Sequence, residues 1–189
     1  MRFESKRDSP GLGHGVSLWL IPGGEAHDSL AELIRRYSRR FSTPFFEPHL
    51  TLVGGIPSSA EERLLRRCAD LARDTPAVEI RMSDAGFGES YFRCLYLKVE
   101  RTPALDQLHE RAQALILGRE AKPFTPHVSL LYGRLSREQK RDLVDELASL
   151  PPASFRAMHL DVLSTEGPAT AWRRAARFEL ERDGGSVGG

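Results

Sequence analysis

The sequence predicts an α+β fold of two lobes, each an antiparallel sheet with helices, sharing one central cleft. Segments with helical apolar spacing alternate with short strand-like runs, about four helices and seven strands in all. Glycine and proline mark the joints, as at Pro22-Gly23-Gly24 and Glu166-Gly167-Pro168. Two segments have nearly the same spelling: Pro48-His49-Leu50-Thr51-Leu52 and Pro126-His127-Val128-Ser129-Leu130. Each reads as a strand followed by a helix, which hints at two related halves. The 189 residues can bury a sizeable core. One domain is expected over residues 15–182, between a mobile segment 1–14 and a mobile glycine-rich tail 183–189.

In chain order, Val16–Ile21 is an apolar strand. Asp28 can cap a helix with Leu30, Leu33, Ile34, Tyr37 and Phe41 on one face, ended by Thr43-Pro44. His49–Val53 is the next strand. Ser58 and Ser59, each with a Glu three residues on, carry overlapping capping-box signals for a helix reaching about Arg73. Val78–Met82 alternates as a strand, Asp84–Ser90 reads as a hairpin turn with Gly86 and Gly88, and Phe92–Val99 is the partner strand. Thr102-Pro103 opens a helix ending near Gly118. His127–Tyr132 is the second motif strand, and Ser136 with Gln139 opens the last helix. Phe155–Leu163 and Ala171–Leu180 are the final strands.

Composition narrows the function classes. A net charge of +1 supplies no global field for non-specific nucleic-acid binding. Arginine makes up 23 of the 27 basic residues, a mild bias toward forked phosphate contacts. Cys68 and Cys94 are isolated and read as core residues, which points to a reducing cytoplasm. No apolar run reaches membrane-span length, so no membrane partner is expected. A monomer is expected.

On a strand, a histidine and a hydroxyl two positions later share one face, while the intervening apolar residues face the core. Two copies bring His49, Thr51, His127 and Ser129 to one cleft. Imidazoles exchange protons near neutral pH, and hydroxyls can donate to non-bridging phosphate oxygens. One imidazole from each lobe suits in-line displacement at a phosphodiester, with one group deprotonating water and the other protonating the departing oxygen. The plainer reading makes either histidine a buried strand residue bonded to a neighbouring hydroxyl. No cluster of ligand residues lies at metal spacing around either motif, so neither metal nor cofactor is expected. The remaining histidines add little. His14 sits in a turn-like stretch, His27 precedes a helix, His109 reads as helix surface, and His159 lies mid-strand.

The two motifs resemble those of the 2H phosphoesterase superfamily. Ser17-Leu18-Trp19-Leu20-Ile21-Pro22, Phe92-Arg93-Cys94-Leu95-Tyr96-Leu97 and Pro126–Gly133 resemble, more narrowly, the plant and yeast cyclic phosphodiesterases. The resemblance runs from about Val16 to Leu180. It implies a bilobal 2H phosphoesterase-like fold and metal-independent opening of nucleoside 2′,3′-cyclic phosphates to 2′-phosphates, or of ADP-ribose 1″,2″-cyclic phosphate. The implied partner is a small cyclic phosphate nucleotide, with RNA ends as a further one. His49 and His127 become the acid–base pair; the symmetrical motifs do not say which is the base, and the working hypothesis gives water to His127 and the leaving oxygen to His49. Thr51, Ser129 and Tyr132 become phosphate contacts, although strict alternation puts Tyr132 on the face opposite His127 unless a bulge or strand end redirects it. Trp19 is a candidate for stacking on the base or for the core. Two rival readings are a 2′-5′ RNA ligase-like or RNA-end-processing enzyme, and a nucleotide- or RNA-binding module without turnover.

Overall fold

In the computed structural model, residues 11–58, 61–118, 123–150 and 153–181 are described. In chain order the elements are β1 (Leu12–Gly13), β2 (Val16–Leu20), α1 (Gly24–Phe41), β3 (Leu50–Ile56), α2 (Glu61–Arg73), β4 (Val78–Phe87), β5 (Leu95–Val99), α3 (Pro103–Leu117), β6 (His127–Leu131), α4 (Arg137–Leu147), β7 (Ser154–Ala157), β8 (His159–Ser164), β9 (Gly167–Pro168) and β10 (Arg173–Glu179). Eight strands form one antiparallel sheet in the order β10-β8-β2-β3-β6-β5-β4-β7. The motif strands β3 and β6 are its two middle strands and join through one registered pair, Leu50 opposite Val128. The sheet thus divides into two four-stranded halves at the seam where the motifs meet. The α+β, two-lobed architecture read from the sequence is the one observed.

Period-2 patterning sets the sheet's faces. Leu18, Leu20, Leu50, Leu52, Val128, Leu130, Leu95, Leu97, Leu160 and Val162 are buried in one core with Ile34 and Tyr37 of α1, Leu71 of α2, Leu105 of α3 and Leu143 of α4. The opposite face carries a separate small cluster of Trp19, Ile21 and Leu163. Helices therefore load one face and leave the other for the motif side chains.

Local capping chemistry explains the helix ends that were legible. Thr102 Oγ1 accepts from Leu105 N, and Pro103 occupies the first turn of α3, which closes on Gly118 at φ 62°. Ser136 and Gln139 complete a capping box on α4. For α2, Ser59 lies outside the described residues. Helix α1 begins one turn before Asp28. Gly23 is its N-cap, Glu25 sits in its first turn, and Ala26 packs on the core.

Four strand expectations change. The segment Phe155–Leu163 breaks at Met158 into β7, which pairs with β4, and β8, which pairs with β2 and β10 at the far side of the sheet. The chain crosses between lobes there, which no local pattern encodes. β4 runs on through Gly86 to Phe87, past the expected turn. Gly86 lies opposite Tyr96, and a Cβ on it would stand 3.0 Å from the Tyr96 ring, so this glycine makes room for an aromatic neighbour. Residues Tyr91–Arg93 form a short 3-10 turn, and β5 starts only at Leu95. Within the stretch expected to be mobile, Leu12–Gly13 pairs with Gly167–Pro168. Residues 1–10 and the expected tail 183–189 lie outside the described residues.

Candidate active site

The antiparallel step from the Leu50–Val128 pair puts Thr51 opposite His127 and His49 opposite Ser129. Each motif histidine thus lies one register step from the Leu50–Val128 pair, on the side of the other motif's hydroxyl residue. Such pairing makes the two histidines diagonal neighbours across the seam. Continuing the register gives one row across the helix-free face: Arg177, Asp161, Trp19, Thr51, His127 and Lys98.

Both imidazoles are held in one tautomer. His49 Nδ1 lies 2.6 Å from the carbonyl of Glu47, and His127 Nδ1 lies 2.9 Å from that of Thr125. A carbonyl only accepts, so Nδ1 carries the proton and Nε2 presents its lone pair. Each anchoring carbonyl belongs to the residue before the motif proline. Proline restricts that residue to extended conformations and fixes its own φ, which aims the carbonyl back at the ring. The prolines in the repeated spelling therefore have a geometric role.

His49 is 4% exposed, with its ring stacked on the indole of Trp19. Burial pushes its pKa down to about 4, and the nearby His127 pushes the same way against the Glu47 hydrogen bond. His127 is partly exposed, and its pKa is also lowered, by burial first and then by the positive charge of Arg93. Tyr132 stands just past the end of β6, where leaving the strand turns its hydroxyl to 3.3 Å from His49 Nε2. Its ring stacks on Phe46, and burial raises its pKa.

The hydroxyls are not equivalent. Thr51 is partly exposed, and among the described residues its side chain hydrogen-bonds to no other group. Ser129 Oγ donates to the carbonyl of Phe92 at 3.1 Å and is 5% exposed. Trp19, a candidate for base stacking, is only 2% exposed. His49 covers one of its faces and Trp172 meets it edge-on, which makes it a wall of the histidine's pocket.

Sequence reading did not single out Asp161 or Lys98 for the site, and it used Arg93 and Tyr96 only within the quoted Phe92–Leu97 segment. Asp161 is buried, and Arg177 donates to both its oxygens at 2.7 and 2.8 Å. An aspartate in a strand opposite Trp19 carries no local signal of its own. Tyr96 meets the His127 ring edge-on at 5.2 Å. His109, expected on a helix surface, is buried. Its Nδ1 bonds the Leu52 carbonyl and its ring stacks on Phe124, because α3 lies with that face against β3. His27 lies inside α1 and contacts Glu47, while His159 opens β8. A cavity of about 1130 Å³ lies elsewhere, between α1, α4 and β4, and holds no motif residue. Its rim carries Glu25, Asp28, Glu32, Asp84 and Glu100, the wrong sign for a phosphate ester. Among the described residues no group of three or more His, Cys, Asp or Glu could hold a metal ion, and no helix is long and apolar enough to cross a membrane.

Residues 25–169 match the family model of the 2′-5′ RNA ligase superfamily. The chain belongs to that superfamily, the 2H phosphoesterases. Among curated relatives, a cyclic phosphodiesterase of Arabidopsis thaliana is 26% identical over 156 residues, covering 79% of this chain and 84% of the relative. A 2′,3′-cyclic-nucleotide 3′-phosphodiesterase of Kluyveromyces lactis is 24% identical over 203 residues, covering 84% and 95%. The crystal structure of TT0787 of Thermus thermophilus superposes with a TM-score of 0.63 at 21% identity, covering 89% of this chain and 98% of that one. This likeness shows the shared fold, and the two motif strands lie at the centre of its sheet here.

Proposed function

We propose that this 2H phosphoesterase is a metal-independent cyclic phosphodiesterase. It opens nucleoside 2′,3′-cyclic phosphates to 2′-phosphates and also accepts ADP-ribose 1″,2″-cyclic phosphate. The observation that carries the reading is the matched state of the two imidazoles: both are fixed through Nδ1, with Nε2 of His127 open and Nε2 of His49 held only by the Tyr132 hydroxyl.

In the proposed step, His127 Nε2 takes a proton from water as the water oxygen bonds to phosphorus. The bond from phosphorus to the 3′ oxygen breaks, and His49 Nε2 gives that oxygen its proton. The charge stays on the phosphate, where the Thr51 hydroxyl donates to a non-bridging oxygen. Ser129 joins it by turning its hydroxyl from the Phe92 carbonyl. His49 is neutral in the free protein, with its pKa at about 4. The bound phosphate anion and the face of Trp19 both favour the imidazolium, so substrate binding recruits the proton that His49 later donates. The names of the Arabidopsis and Kluyveromyces relatives support the substrate class.

The deciding experiment incubates the protein with 2′,3′-cyclic AMP and with ADP-ribose cyclic phosphate in EDTA and locates the phosphate in the product. Turnover to the 2′-phosphate is expected, and no turnover of either substrate overturns the reading. The division of roles is checked with a thio-activated leaving group, for which His49→Ala should lose much less activity than with the natural oxygen. An equal loss with both leaving groups reverses the assignment.

A further inference from the structure

The 3-10 turn Tyr91–Arg93 lies against the end of β6. Ser129 Oγ donates to the Phe92 carbonyl, and Gly133 N donates to the Tyr91 carbonyl at 2.9 Å. This clamp holds Arg93 partly buried, with its guanidinium 4.8 Å from the centre of the Tyr96 ring. Among the described residues, its fully buried Nε has no hydrogen-bond partner and the side chain forms no ion pair. Several other cations of the chain are matched: Arg177 with Asp161, Arg36 and Arg40 with Glu146, Arg101 with Asp106, and Lys140 with Glu89. A partly desolvated guanidinium without a counterion is costly unless a ligand supplies the anion.

Two residues past Tyr96, the β5–β6 register sets Lys98 opposite His127 on the same face, exposed and, among the described residues, likewise without an ion pair. Asp84 and Glu100, the nearby carboxylates of β4 and the end of β5, line the acidic cavity instead. We infer that Arg93 and Lys98 form a second anion subsite, one strand outward from the motif strands, which binds a further phosphoryl group of the substrate nucleotide. The inference rests on the proposed phosphodiester site. The reacting phosphate already has its partners on β3 and β6, and the ring of Tyr96 touches both the Arg93 guanidinium and His127. A fork-shaped guanidinium and a mobile ammonium together suit a phosphoryl group, as Arg can bind it through two parallel N–H donors. The favoured substrates are therefore nucleotides with a second phosphate, such as a 5′-phosphate or the diphosphate of ADP-ribose.

The test measures calorimetric binding of adenosine 2′-phosphate, adenosine 2′,5′-bisphosphate and ADP-ribose 2′-phosphate to the wild type, Arg93→Gln and Lys98→Gln, with thermal unfolding as the check on folding. The wild type should bind at least one of the two doubly anionic ligands about tenfold or more tightly than the monophosphate, and which one identifies the source of the second anion. Either variant should cut that preference to threefold or less. Lys98 is exposed, so Lys98→Gln keeps the test decisive if Arg93→Gln misfolds. An unchanged preference in the folded variants, or equal wild-type affinity for all three ligands while 2′,3′-cyclic AMP is still opened, overturns the subsite alone. Failure to open any cyclic phosphate overturns the proposed activity but leaves the binding preference to be read. A wild type that binds none of the three overturns the subsite, while the turnover assay alone decides the activity.

Discussion

The indole of Trp19 lies flat on the imidazole of His49, with ring centroids 3.5 Å apart and planes within 5°. Trp19 comes from β2 and His49 from the entry to β3, so pairing of these strands builds the contact. Trp19 acts through His49 as a positioning residue, which predicts a particular kinetic split. Trp19→Phe should lower kcat about tenfold on 2′,3′-cyclic AMP and change KM less than threefold. If the indole instead held the base, KM would carry the loss. Trp19→Ala should cost about 3–5 kcal/mol of stability.

The histidine pair makes stability fall with acid. The pKa of His49 is held at about 4 against an unfolded value near 6.5, and that of His127 is shifted the same way. Between those values the unfolded chain binds a proton that folded His49 refuses. The contribution is therefore fully present above pH 6.5 and is lost as pH falls toward 4. It is on the order of 3 kcal/mol for His49. Urea unfolding at pH 7 and pH 4.5 should show a smaller drop for His49→Asn than for the wild type, and equal drops would contradict the assignment.

Nitrogen-15 NMR of the imidazoles at pH 7 should show His49 and His127 both neutral with the proton on Nδ1. Pro126→Ala frees the Thr125 carbonyl that holds His127. It should lower kcat/KM roughly three- to tenfold and leave the unfolding midpoint nearly unchanged. Finding the wild-type proton on Nε2 would undo this account of the prolines.

Gly86→Ala should destabilise the protein by about 1–3 kcal/mol, because the new Cβ meets the ring of Tyr96. Tyr96 packs against His127, so activity measured well below the unfolding temperature should fall as well. A fully active, equally stable variant would show that Tyr96 has room to shift.

How far the chain could be read depended on the range of the forces involved. The caps of α3 and α4 are contacts within one helical turn, and Thr102-Pro103 and Ser136 with Gln139 announce them. Alternation along β3 and β6 is equally local, so the sharing of one face by His49 with Thr51, and by His127 with Ser129, was legible. Asp28 and Gly86 misled for a related reason, since a capping type and a turn type were each used for something else. Asp28 lies exposed inside α1 beside His27, and Gly86 lies within β4 opposite Tyr96.

By itself, then, the sequence determined the two strand motifs, their polar faces and an α+β chain whose apolar residues need a common core. Only the tertiary structure decided that β3 and β6 lie side by side and antiparallel, which crosses each histidine with the other motif's hydroxyl. It alone split the strand at Met158 between the lobes, turned Tyr132 back to His49 and set Arg93 beside Tyr96. Those outcomes come from strand pairing and packing between residues distant in the chain, whose free energies no short window of sequence contains.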